Sequence, residues 1–281
     1  MRAGQESKTA VLVCMGRAVA HGATGVTRFS DPTAIALLPE GARARVERVR
    51  SGALPPGLRG WYQDRHLRGL SSMMVARTVE IDDAVRGATS PQLVILGAGL
   101  DGRAWRMPEL RDVAVFEVDH PDSQREKRAR VTSLAPAARN VRFVPVDFER
   151  DRLDDALASA GHDPTRATTW IWEGVVMYLA LPDIEATLSV IERRSASKSR
   201  LIVAYHSPAL LLRLLGFVVR RLGEPLRSSF TADAMRALLG KHRFDVIRDE
   251  ALPAIGARLS DDVGRATKIM KHLRIATADR A

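Results

Sequence analysis

Residues 92–107 read QLVILGAGLDGRAWRM, and this stretch decides the fold. Residues 93–96 form an unbroken apolar run with two β-branched members, which is typical of a strand buried on both faces of a parallel sheet. Residues 97–99 follow as a turn with almost no side-chain bulk, so a ligand can approach the main chain closely. Asp101 can cap a helix over residues 103–109, up to the break caused by a proline. A strand, a glycine turn and a helix make the first unit of a nucleotide-binding α/β domain.

The glycines at positions 97, 99 and 102 match the pattern of a dinucleotide-binding loop, a motif that is weak when it occurs alone. Three interpretations stay open from this stretch. The loop seats the pyrophosphate of a nicotinamide or flavin cofactor, or it is the shorter glycine loop of an S-adenosylmethionine site, or it connects strand and helix tightly without a ligand. The rest of the chain has to decide between them.

Length and composition are typical of a soluble globular protein. The 281 residues, 46% hydrophobic and 27% charged, fit one α/β domain with appendages as well as two domains. No apolar run reaches the roughly 18 residues that span a bilayer, and residues 9–20 make a poor signal peptide because Gly16 and Arg17 interrupt them. The single cysteine, Cys14, excludes an internal disulfide and a multi-cysteine metal cluster. We therefore expect a cytoplasmic protein without a metal ion.

The charge balance is basic, with 43 basic and 33 acidic residues and a net charge of +10. Such an excess fits a nucleic-acid surface or an anionic substrate, but it also fits a compositional bias towards arginine. The basic residues are scattered with no run of five, and aromatic residues make up only 5% of the chain, which leaves little material for stacking on bases. We favour the compositional bias and expect no nucleic-acid partner.

Residues 1–90 show no clear period-two alternation and are predicted to be mainly helical. Ser7 can open a first helix, and Asp31 followed by proline is a second helix start. A loop is expected over residues 52–60, which hold two adjacent prolines, and a long helix over residues 61–86. No flexible linker separates this prefix from the first strand, so it is interpreted as a lid or a packing layer.

The second predicted strand, residues 112–118, has Glu117 near its end, and Asp119 follows directly after it. They lie about 20 residues past the glycine turn, where a nucleotide-binding domain places the carboxylate that accepts hydrogen bonds from ribose hydroxyls. Both acids face the same side of the strand, and Asp119 is nearer its carboxyl end, where open parallel sheets bind ligands. An acid here favours an unphosphorylated ribose but does not distinguish NAD from S-adenosylmethionine. The alternative is a simple cap for the helix that follows.

The third and fourth predicted strands also end in acids. Residues 141–146 are followed by Asp147 and Phe148, an acid and a ring that suit an adenine base. Residues 168–173 carry Glu173 at their carboxyl end. Each acid alone is a weak signal, but acids at the ends of three successive strands after a glycine turn form a specific constellation.

The fifth predicted strand, residues 201–205, ends at Tyr205 and His206, the two candidates for a catalytic proton acceptor. Residues 209–222, ALLLRLLGFVVRRL, are interpreted as a buried or half-buried helix of the fold. A substrate-pocket helix, a partner surface and a membrane-surface helix stay open as alternatives. The last predicted elements are a helix capped by Thr231 and strands at residues 244–247 and 272–278, the final one antiparallel.

Taken together, these motifs resemble the class I S-adenosylmethionine-dependent methyltransferases of the leucine carboxyl methyltransferase type, which include bacterial polyketide O-methyltransferases. The resemblance covers roughly residues 8–210. It is carried by Leu96-Gly97-Ala98-Gly99-Leu100-Asp101, Phe116-Glu117-Val118-Asp119-His120-Pro121, Val146-Asp147-Phe148 and Trp172-Glu173-Gly174-Val175-Val176-Met177-Tyr178-Leu179, together with Asp31, Arg77 and Arg103. It implies an α/β fold with a doubly wound, mostly parallel seven-stranded sheet. Residues 1–90 would be an N-terminal helical cover, and residues 91–281 the cofactor-binding domain, with an inserted helical segment at about 208–230.

The resemblance also implies which residues bind S-adenosylmethionine. Gly97, with Ala98 and Gly99, would approach the methionine part of the cofactor, and Asp119 would hold the ribose diol. Many members have serine or threonine where this chain has Gly102. That difference creates the dinucleotide pattern by accident.

Four further residues complete the implied cofactor site. Asp147 and Phe148 would flank the adenine, and Glu173 would line the floor of the site. Arg77 would pair with the carboxylate of the cofactor, because a guanidinium binds a carboxylate in bidentate fashion. The alternative for Arg77 is a solvated helix face.

The predicted function is O-methylation of a carboxylate or hydroxyl on a small molecule, and a polyketide-like secondary metabolite is favoured over a protein terminus by the resemblance. A sulfonium methyl group is already activated, so the reaction depends chiefly on positioning. A carboxylate acceptor needs no base, whereas a hydroxyl acceptor usually does, and His206 and Tyr205 are the candidates. The alternatives are an NAD-dependent oxidoreductase and a non-catalytic S-adenosylmethionine-binding protein. A nucleic-acid methyltransferase is disfavoured, because the chain has no Asn-Pro-Pro-Tyr loop and Cys14 is not preceded by proline.

Overall fold

The computed structural model describes residues 7–55, 57–147, 150–209 and 226–281. Seven strands form one sheet: β1 (Gln92–Leu96), β2 (Ala114–Asp119), β3 (Asn140–Pro145), β4 (Thr168–Trp172), β5 (Arg200–His206), β6 (Asp245–Ala251) and β7 (Leu273–Asp279). Their order across the sheet is β3-β2-β1-β4-β5-β7-β6.

The sheet is doubly wound. Strands β1 to β5 pair in parallel, and β7 inserts antiparallel to both β5 and β6. The chain runs outward from β1 through β2 to β3 and then returns to place β4 on the other side of β1. This reversal is the topological switch point, where open sheets bind ligands outside the carboxyl ends of their strands. The predicted fold class is confirmed, including the antiparallel final strand.

Helices precede and separate the strands. Before β1 lie α1 (Lys8–Ala20), α2 (Ala34–Leu37), α3 (Glu40–Ser51) and α4 (Gly57–Arg86). Later helices are α5 (Arg103–Arg106), α6 (Pro121–Val131), α7 (Leu153–Ser159), α8 (Leu181–Arg193), α9 (Ala232–Lys241), α10 (Leu252–Leu259) and α11 (Asp261–Thr267). Short 3-10 turns occur at Pro108–Leu110 and Val176–Tyr178.

The sequence accounts for the start of the first helix and in part for that of the second. Ser7 caps α1, since its hydroxyl accepts a hydrogen bond from the Ala10 N–H at 3.2 Å. A carboxylate oxygen of Asp31 accepts one from the Ala34 N–H at 3.0 Å, at the start of α2. The first predicted helix start is confirmed. The second is only partly so, because α2 begins at Ala34 with Thr33 as its N-cap, and the proline after Asp31 lies outside the helix.

The long helix α4 begins at Gly57, so the loop predicted over residues 52–60 is shorter than expected. Pro55 is not helical, whereas Gly57 and Gly60 lie within α4. Helix α4 packs against α1 on one side and against α10, α11 and β7 on the other. It therefore runs along one face of the sheet.

Each face of the sheet has its own hydrophobic core. Leu93 and Ile95 of β1 belong to a core shared with α1 to α4, α10 and α11. Val94 and Leu96 belong to a second core shared with α7, α8 and α9. This alternation explains the unbroken apolar run in β1, because both faces of the strand are buried.

Several boundaries differ from the prediction for local reasons. Helix α5 ends at Arg106 rather than near residue 109, because the residue before Pro108 adopts an extended conformation. Strand β6 is longer than predicted, since as an edge strand it is too polar to be recognised from its sequence, DVIRDEA. The helix predicted over residues 209–222 lies almost wholly outside the described residues. None of the described helices is both long and apolar enough for a membrane span.

Candidate cofactor site and its charge network

The glycine turn lies at the switch point between β1 and β4. The N–H groups of Gly97 and Ala98 both donate to the carbonyl oxygen of Val118, at 2.8 and 3.0 Å, which ties the turn to β2. Gly97 and Gly99 have φ angles of +68° and +45°, in the left-handed region that favours glycine. A Cβ atom at Gly97 would lie 2.4 Å from Cγ2 of Val175, in the loop after β4. The turn thus has both the backbone conformation and the close packing that require glycine.

Asp119, the last residue of β2, contacts this turn directly. One carboxylate oxygen accepts a hydrogen bond from the Gly99 N–H at 2.5 Å, and the other accepts one from the His120 N–H at 2.6 Å. Burial raises the pKa of Asp119, and the two N–H groups oppose that rise. The acid predicted to hold the ribose therefore lies beside the predicted glycine loop.

Glu117, two residues earlier, has a different environment. It is fully buried, and its carboxylate forms an ion pair with Nζ of Lys127 at 2.7 Å. The ammonium group of Lys127 lies 5.0 Å from the ring centroid of Trp105. Burial raises the pKa of Glu117 to about 7, although Lys127 acts in the opposite direction. Glu117 and Asp119 face the same side of β2, but the structure brings only Asp119 to the turn.

Glu173 follows β4 and pairs with two arginines. One carboxylate oxygen accepts a hydrogen bond from Nε of Arg77 at 2.5 Å, and the other accepts one from Arg103 at 2.9 Å. Burial alone would raise the pKa of Glu173, but the two guanidinium groups hold it below its usual value.

Arg77 reaches this point from α4 and is 7% exposed. It is therefore not on a solvated helix face. Only its Nε is bound to Glu173, and its terminal nitrogens have no hydrogen-bond partner among the described residues. Those nitrogens retain the donors that a carboxylate of a ligand would need.

Arg103, in α5, joins three acids from different parts of the chain. Besides Glu173 it pairs with Asp82 of α4 at 2.8 Å and with Asp101 in the turn. Burial would raise the pKa of Asp101, but Arg103 is the largest influence that lowers it below its usual value. The carboxylate of Asp101 also accepts a hydrogen bond from the N–H of Arg103, the first residue of α5, at 2.7 Å. The N-cap of α5 is Gly102, so Asp101 lies one residue before the position predicted for it.

The network extends to the first helix. Arg106 pairs with Asp82 at 2.6 Å, and Arg17 of α1 pairs with Asp31 at 2.8 Å and donates to the carbonyl oxygen of Leu100. Counting Arg77, Arg103, Asp101 and Glu173, the network contains four arginines and four acids, so its charges balance. Sequence reasoning had assigned no function to Arg17, Asp82 or Arg106. Glu173 thus binds α4 and α5 to the end of β4, and Arg17 binds α1 to the carbonyl oxygen of Leu100 in the turn.

Gly102 contacts the prefix rather than a ligand. Its φ angle is −106°, which any residue adopts, but a Cβ atom there would lie 2.3 Å from Oγ1 of Thr33. The helix after it has only four residues. The third glycine of the dinucleotide pattern is therefore explained by packing against the loop that precedes α2.

The predicted adenine site is described only in part. Asp147 follows β3, its N–H donates to a carboxylate oxygen of Asp151 at 2.8 Å, and its own carboxylate lies 3.7 Å from Arg150. Phe148 lies outside the described residues.

His206 and Tyr205, adjacent at the end of β5, point to opposite faces of the sheet. The hydroxyl of Tyr205 donates to Asp249 at 2.6 Å and accepts from Arg274 at 3.1 Å, and Tyr205 belongs to the core with α7 to α9. Burial raises the pKa of Tyr205 well above its usual value, and Asp249 adds to the rise. The structure thus keeps the Tyr205 hydroxyl apart from Arg77 and the glycine turn.

His206 lies on the side of Arg77. Burial, His272 and the positive charge of Arg77 together lower the pKa of His206 to about 4. The rings of His206 and His272 meet edge to face with centroids 5.2 Å apart, and the buried Nδ1 of His206 has no hydrogen-bond partner among the described residues. His206 is therefore a neutral imidazole at pH 7. Its partner His272 was not singled out as a site residue, because a lone histidine at the start of the last predicted strand carries no signal of its contact with His206.

The fold is that of the class I S-adenosylmethionine-dependent methyltransferases. The glycine turn at the switch point and the carboxylate of Asp119 beside it are features of a nucleotide-binding, doubly wound domain. The chain belongs to the leucine carboxyl methyltransferase family, whose profile matches residues 10–192.

Relatives of known sequence agree with this assignment. An inferred S-adenosyl-L-methionine-dependent methyltransferase of Frankia alni is 33% identical over 192 residues, covering 67% of this chain and 65% of the relative. A second, from Mycolicibacterium gilvum, is 34% identical over 223 residues, covering 78% of this chain and 71% of the relative. The matches thus span about two thirds of the length of these relatives, and about half the length of others.

A solved structure supports the fold. A DUF574-family protein of Streptomyces avermitilis superposes with a TM-score of 0.57 at 13% identity, covering 99% of both chains. The predicted family is confirmed, and the names of these relatives as S-adenosyl-L-methionine-dependent methyltransferases agree with the predicted cofactor. The nicotinamide alternative is set aside, because the family and the packing of Gly102 both account for the glycine pattern without it.

Proposed function

We propose that the protein transfers the methyl group of S-adenosylmethionine to an oxygen atom of a small molecule, either a carboxylate or a hydroxyl. The observation that carries the proposal is the ion pair of Arg77 with Glu173 after β4, close enough to His206 at the end of β5 for the charge of Arg77 to help lower the pKa of that histidine. The carboxyl edge of β4 and β5 therefore combines a donor for a ligand carboxylate with a proton acceptor.

The described residues fit the cofactor. Two nitrogens of Arg77 remain for its carboxylate, and Asp119 offers acceptor oxygens at the end of β2 for the ribose hydroxyls. Gly97 and Gly99 have no side chains of their own, so the main chain of the turn stays accessible to the methionine part. Ala98 lies between them in the same turn, and Asp147 with Phe148 is proposed to flank the adenine.

The chemistry asks little of the protein beyond positioning. When bound, S-adenosylmethionine supplies a methyl group that its sulfonium already activates. Arg77 would orient the cofactor through its carboxylate, while Glu173 holds Arg77 in place. The paired charges around Glu173 are buried, so they keep a fixed geometry without competing water.

His206 is the proposed catalytic residue for a hydroxyl acceptor. Because its pKa is about 4, the ring is neutral at pH 7 and can accept the proton that the hydroxyl loses as it is methylated. A carboxylate acceptor is already ionised at pH 7, so its methylation would not need His206. Tyr205 is not part of this proposal, because its hydroxyl is bonded to Asp249 and Arg274.

We further propose that residues 1–90 cover a catalytic domain formed by residues 91–281, in the cytoplasm. Support comes from α1, since Cβ of Ala10 would lie 3.3 Å from a Cβ atom added to Gly99. The first helix thus passes directly over the glycine turn. By family resemblance the acceptor is a secondary metabolite of polyketide type.

Methyl transfer is tested by incubating the protein with isotope-labelled S-adenosylmethionine and a metabolite extract. We expect a product heavier by one methyl group, with the label on oxygen. If the protein binds the cofactor but labels nothing in extracts of several actinobacteria, a non-catalytic binding protein becomes the better account. A label on nitrogen or carbon would contradict the proposed acceptor.

A further inference from the structure

The beginning of α4 carries a surface that the cofactor site does not use. Leu58 is 88% exposed, Trp61 52% and Tyr62 67%, and Leu54 in the preceding loop is 92% exposed. Positions 58, 61 and 62 are spaced three and four residues apart, so they lie on one face of the helix. We call Leu54, Leu58, Trp61 and Tyr62 the α4 tip surface.

The α4 tip surface is unusual for this protein. Of the four tryptophans, the other three, Trp105, Trp170 and Trp172, are at most 8% exposed. Large apolar side chains that cluster in solvent cost free energy and commonly mark an interaction site. Two exposed leucines, a tryptophan and a tyrosine lie within nine residues, so we expect this surface to bind a partner.

The charge of the same segment is positive. Residues 51–69 contain three arginines, at positions 59, 65 and 68, and a single acid, Asp64. Asp64 is only 3% exposed and is paired with Arg45 at 3.3 Å and Arg48 at 3.0 Å. The three arginines of the segment are all exposed. The segment therefore presents cations to solvent without an exposed carboxylate of its own.

One arginine is part of the apolar face. The guanidinium of Arg65 lies 5.6 Å from the ring centroid of Trp61, at cation–π distance. Tryptophan, tyrosine and arginine are the residues that sit at the boundary between lipid headgroups and acyl chains, because each joins an apolar body to a polar end. Their combination with exposed leucines is the composition of a helix that lies in that boundary.

We propose that the α4 tip surface docks onto an anionic lipid bilayer. Leu54, Leu58 and Trp61 would enter the headgroup boundary, while the arginines of the segment lie against the anionic headgroups. Charge complementarity selects an anionic over a zwitterionic surface, because the segment exposes cations and no carboxylate. The proposal does not depend on the identity of the methyl acceptor.

Docking leaves the cofactor site untouched. Trp61 precedes Arg77 by 16 residues on one continuous helix, which corresponds to about 24 Å at 1.5 Å per residue. Substitutions at the tip therefore change membrane binding without removing a contact of the glycine turn or of Glu173.

The test uses the full chain with phosphatidylcholine vesicles, with and without phosphatidylglycerol. Trp61 provides the signal, because the other tryptophans are buried. We expect its emission to shift to the blue, and brominated lipid to quench it, only when phosphatidylglycerol is present and less at high salt. Leu58→Asp should weaken vesicle binding about tenfold or more, since it removes an inserted apolar side chain, and Arg65→Gln about fivefold.

Ile269→Asp is the matched control. Ile269 is 73% exposed, outside the tip, and the substitution changes the net charge as Leu58→Asp does. Equal weakening by both variants, binding to phosphatidylcholine alone as tight as to the anionic mixture, or no vesicle binding would overturn the proposal. So would sedimentation showing that the parent is a dimer and Leu58→Asp a monomer, because the surface would then join two copies of this chain.

Discussion

Arg103→Met will destabilise the fold strongly, because Arg103 is the cation shared by three buried acids. Its guanidinium pairs with Asp82 at 2.8 Å, with Glu173 at 2.9 Å and with Asp101. Methionine fills a similar volume along the stem but carries no charge. The substitution therefore changes the electrostatics of the network more than its packing.

The size of the effect follows from what each acid retains. Asp82 keeps Arg106 at 2.6 Å, and Glu173 keeps Arg77 at 2.5 Å. Among the described residues, Asp101 keeps no ion-pair partner, only the N–H of residue 103 at 2.7 Å. Removing one partner of a buried ion pair costs about 3–5 kcal/mol, and we expect the free energy of unfolding to fall by this amount at pH 7.

The loss in the free energy of unfolding is measured by urea unfolding of a double-mutant cycle. The four proteins are the parent, Arg103→Met, Asp101→Asn and the double variant. Asp101→Asn removes the acid that is left without a cation, so the double variant should recover at least about 1 kcal/mol relative to the sum of the single losses.

The pH dependence gives an independent check. In the parent, the pKa of Asp101 lies below its usual 3.8, so its stabilisation is present above that value and is lost as the pH falls through the lower, folded pKa. Without Arg103, burial raises the pKa of Asp101, so the variant regains stability as the pH falls through the raised value. The difference in the free energy of unfolding between the parent and Arg103→Met should therefore become smaller from pH 7 towards pH 4. The reasoning would be refuted if Arg103→Met lowered the free energy of unfolding by less than about 1 kcal/mol at pH 7. It would also be refuted if the losses of the two single variants added up to the loss of the double variant.

Two further predictions concern single residues. Gly102→Ala places a Cβ atom 2.3 Å from Oγ1 of Thr33 and should cost about 1–3 kcal/mol in thermal unfolding. Gly25→Ala, where nothing lies within 4 Å, should change stability by less than about 0.5 kcal/mol, and equal losses would show that the contact is unimportant. For a hydroxyl acceptor, kcat/KM should stay flat on the acid side until the pH nears 4, because His206 is neutral above its pKa of about 4. A fall near pH 6.5 would mean that His206 has an ordinary pKa, and His206→Ala should lower kcat/KM about 100-fold or more.

The central strands and the glycine turn could be predicted because their causes are local. A strand covered on both faces needs an unbroken apolar run, and β1 has one. A turn with positive φ angles favours glycine, and Gly97 and Gly99 supply it. The hydroxyl of Ser7 marks the first helix start for the same kind of reason.

The charge network could not be predicted, because tertiary packing assembles it. Arg103 meets Asp82 and Glu173 across 21 and 70 residues of sequence. One signal was nevertheless present in α4. Asp82 follows the buried Val79 by three residues and Val75 by seven, so it lies on the apolar face of the helix, where an acid needs a partner.

The ends of β2 and β5 show a second limit on what the sequence can predict about the site. Alternation along a strand separates Tyr205 from His206, since adjacent side chains point to opposite faces. Alternation does not separate Glu117 from Asp119, which share a face. They differ in depth, because Lys127 pairs with the first and the glycine turn with the second. How deeply each acid is buried depends on how the helices pack against the strand. The alternation of residues along the strand does not contain that information.

The most direct test of the account is calorimetric titration with S-adenosylmethionine. The parent should bind it, and Arg77→Lys should bind at least about tenfold more weakly, because a lysine cannot reproduce a bidentate carboxylate contact while holding Glu173. Arg68→Lys makes the same change at an exposed position of the same helix and should bind as the parent does. A parent that does not bind the cofactor, or an Arg77→Lys variant that binds it as tightly as the parent, would contradict the cofactor site described above.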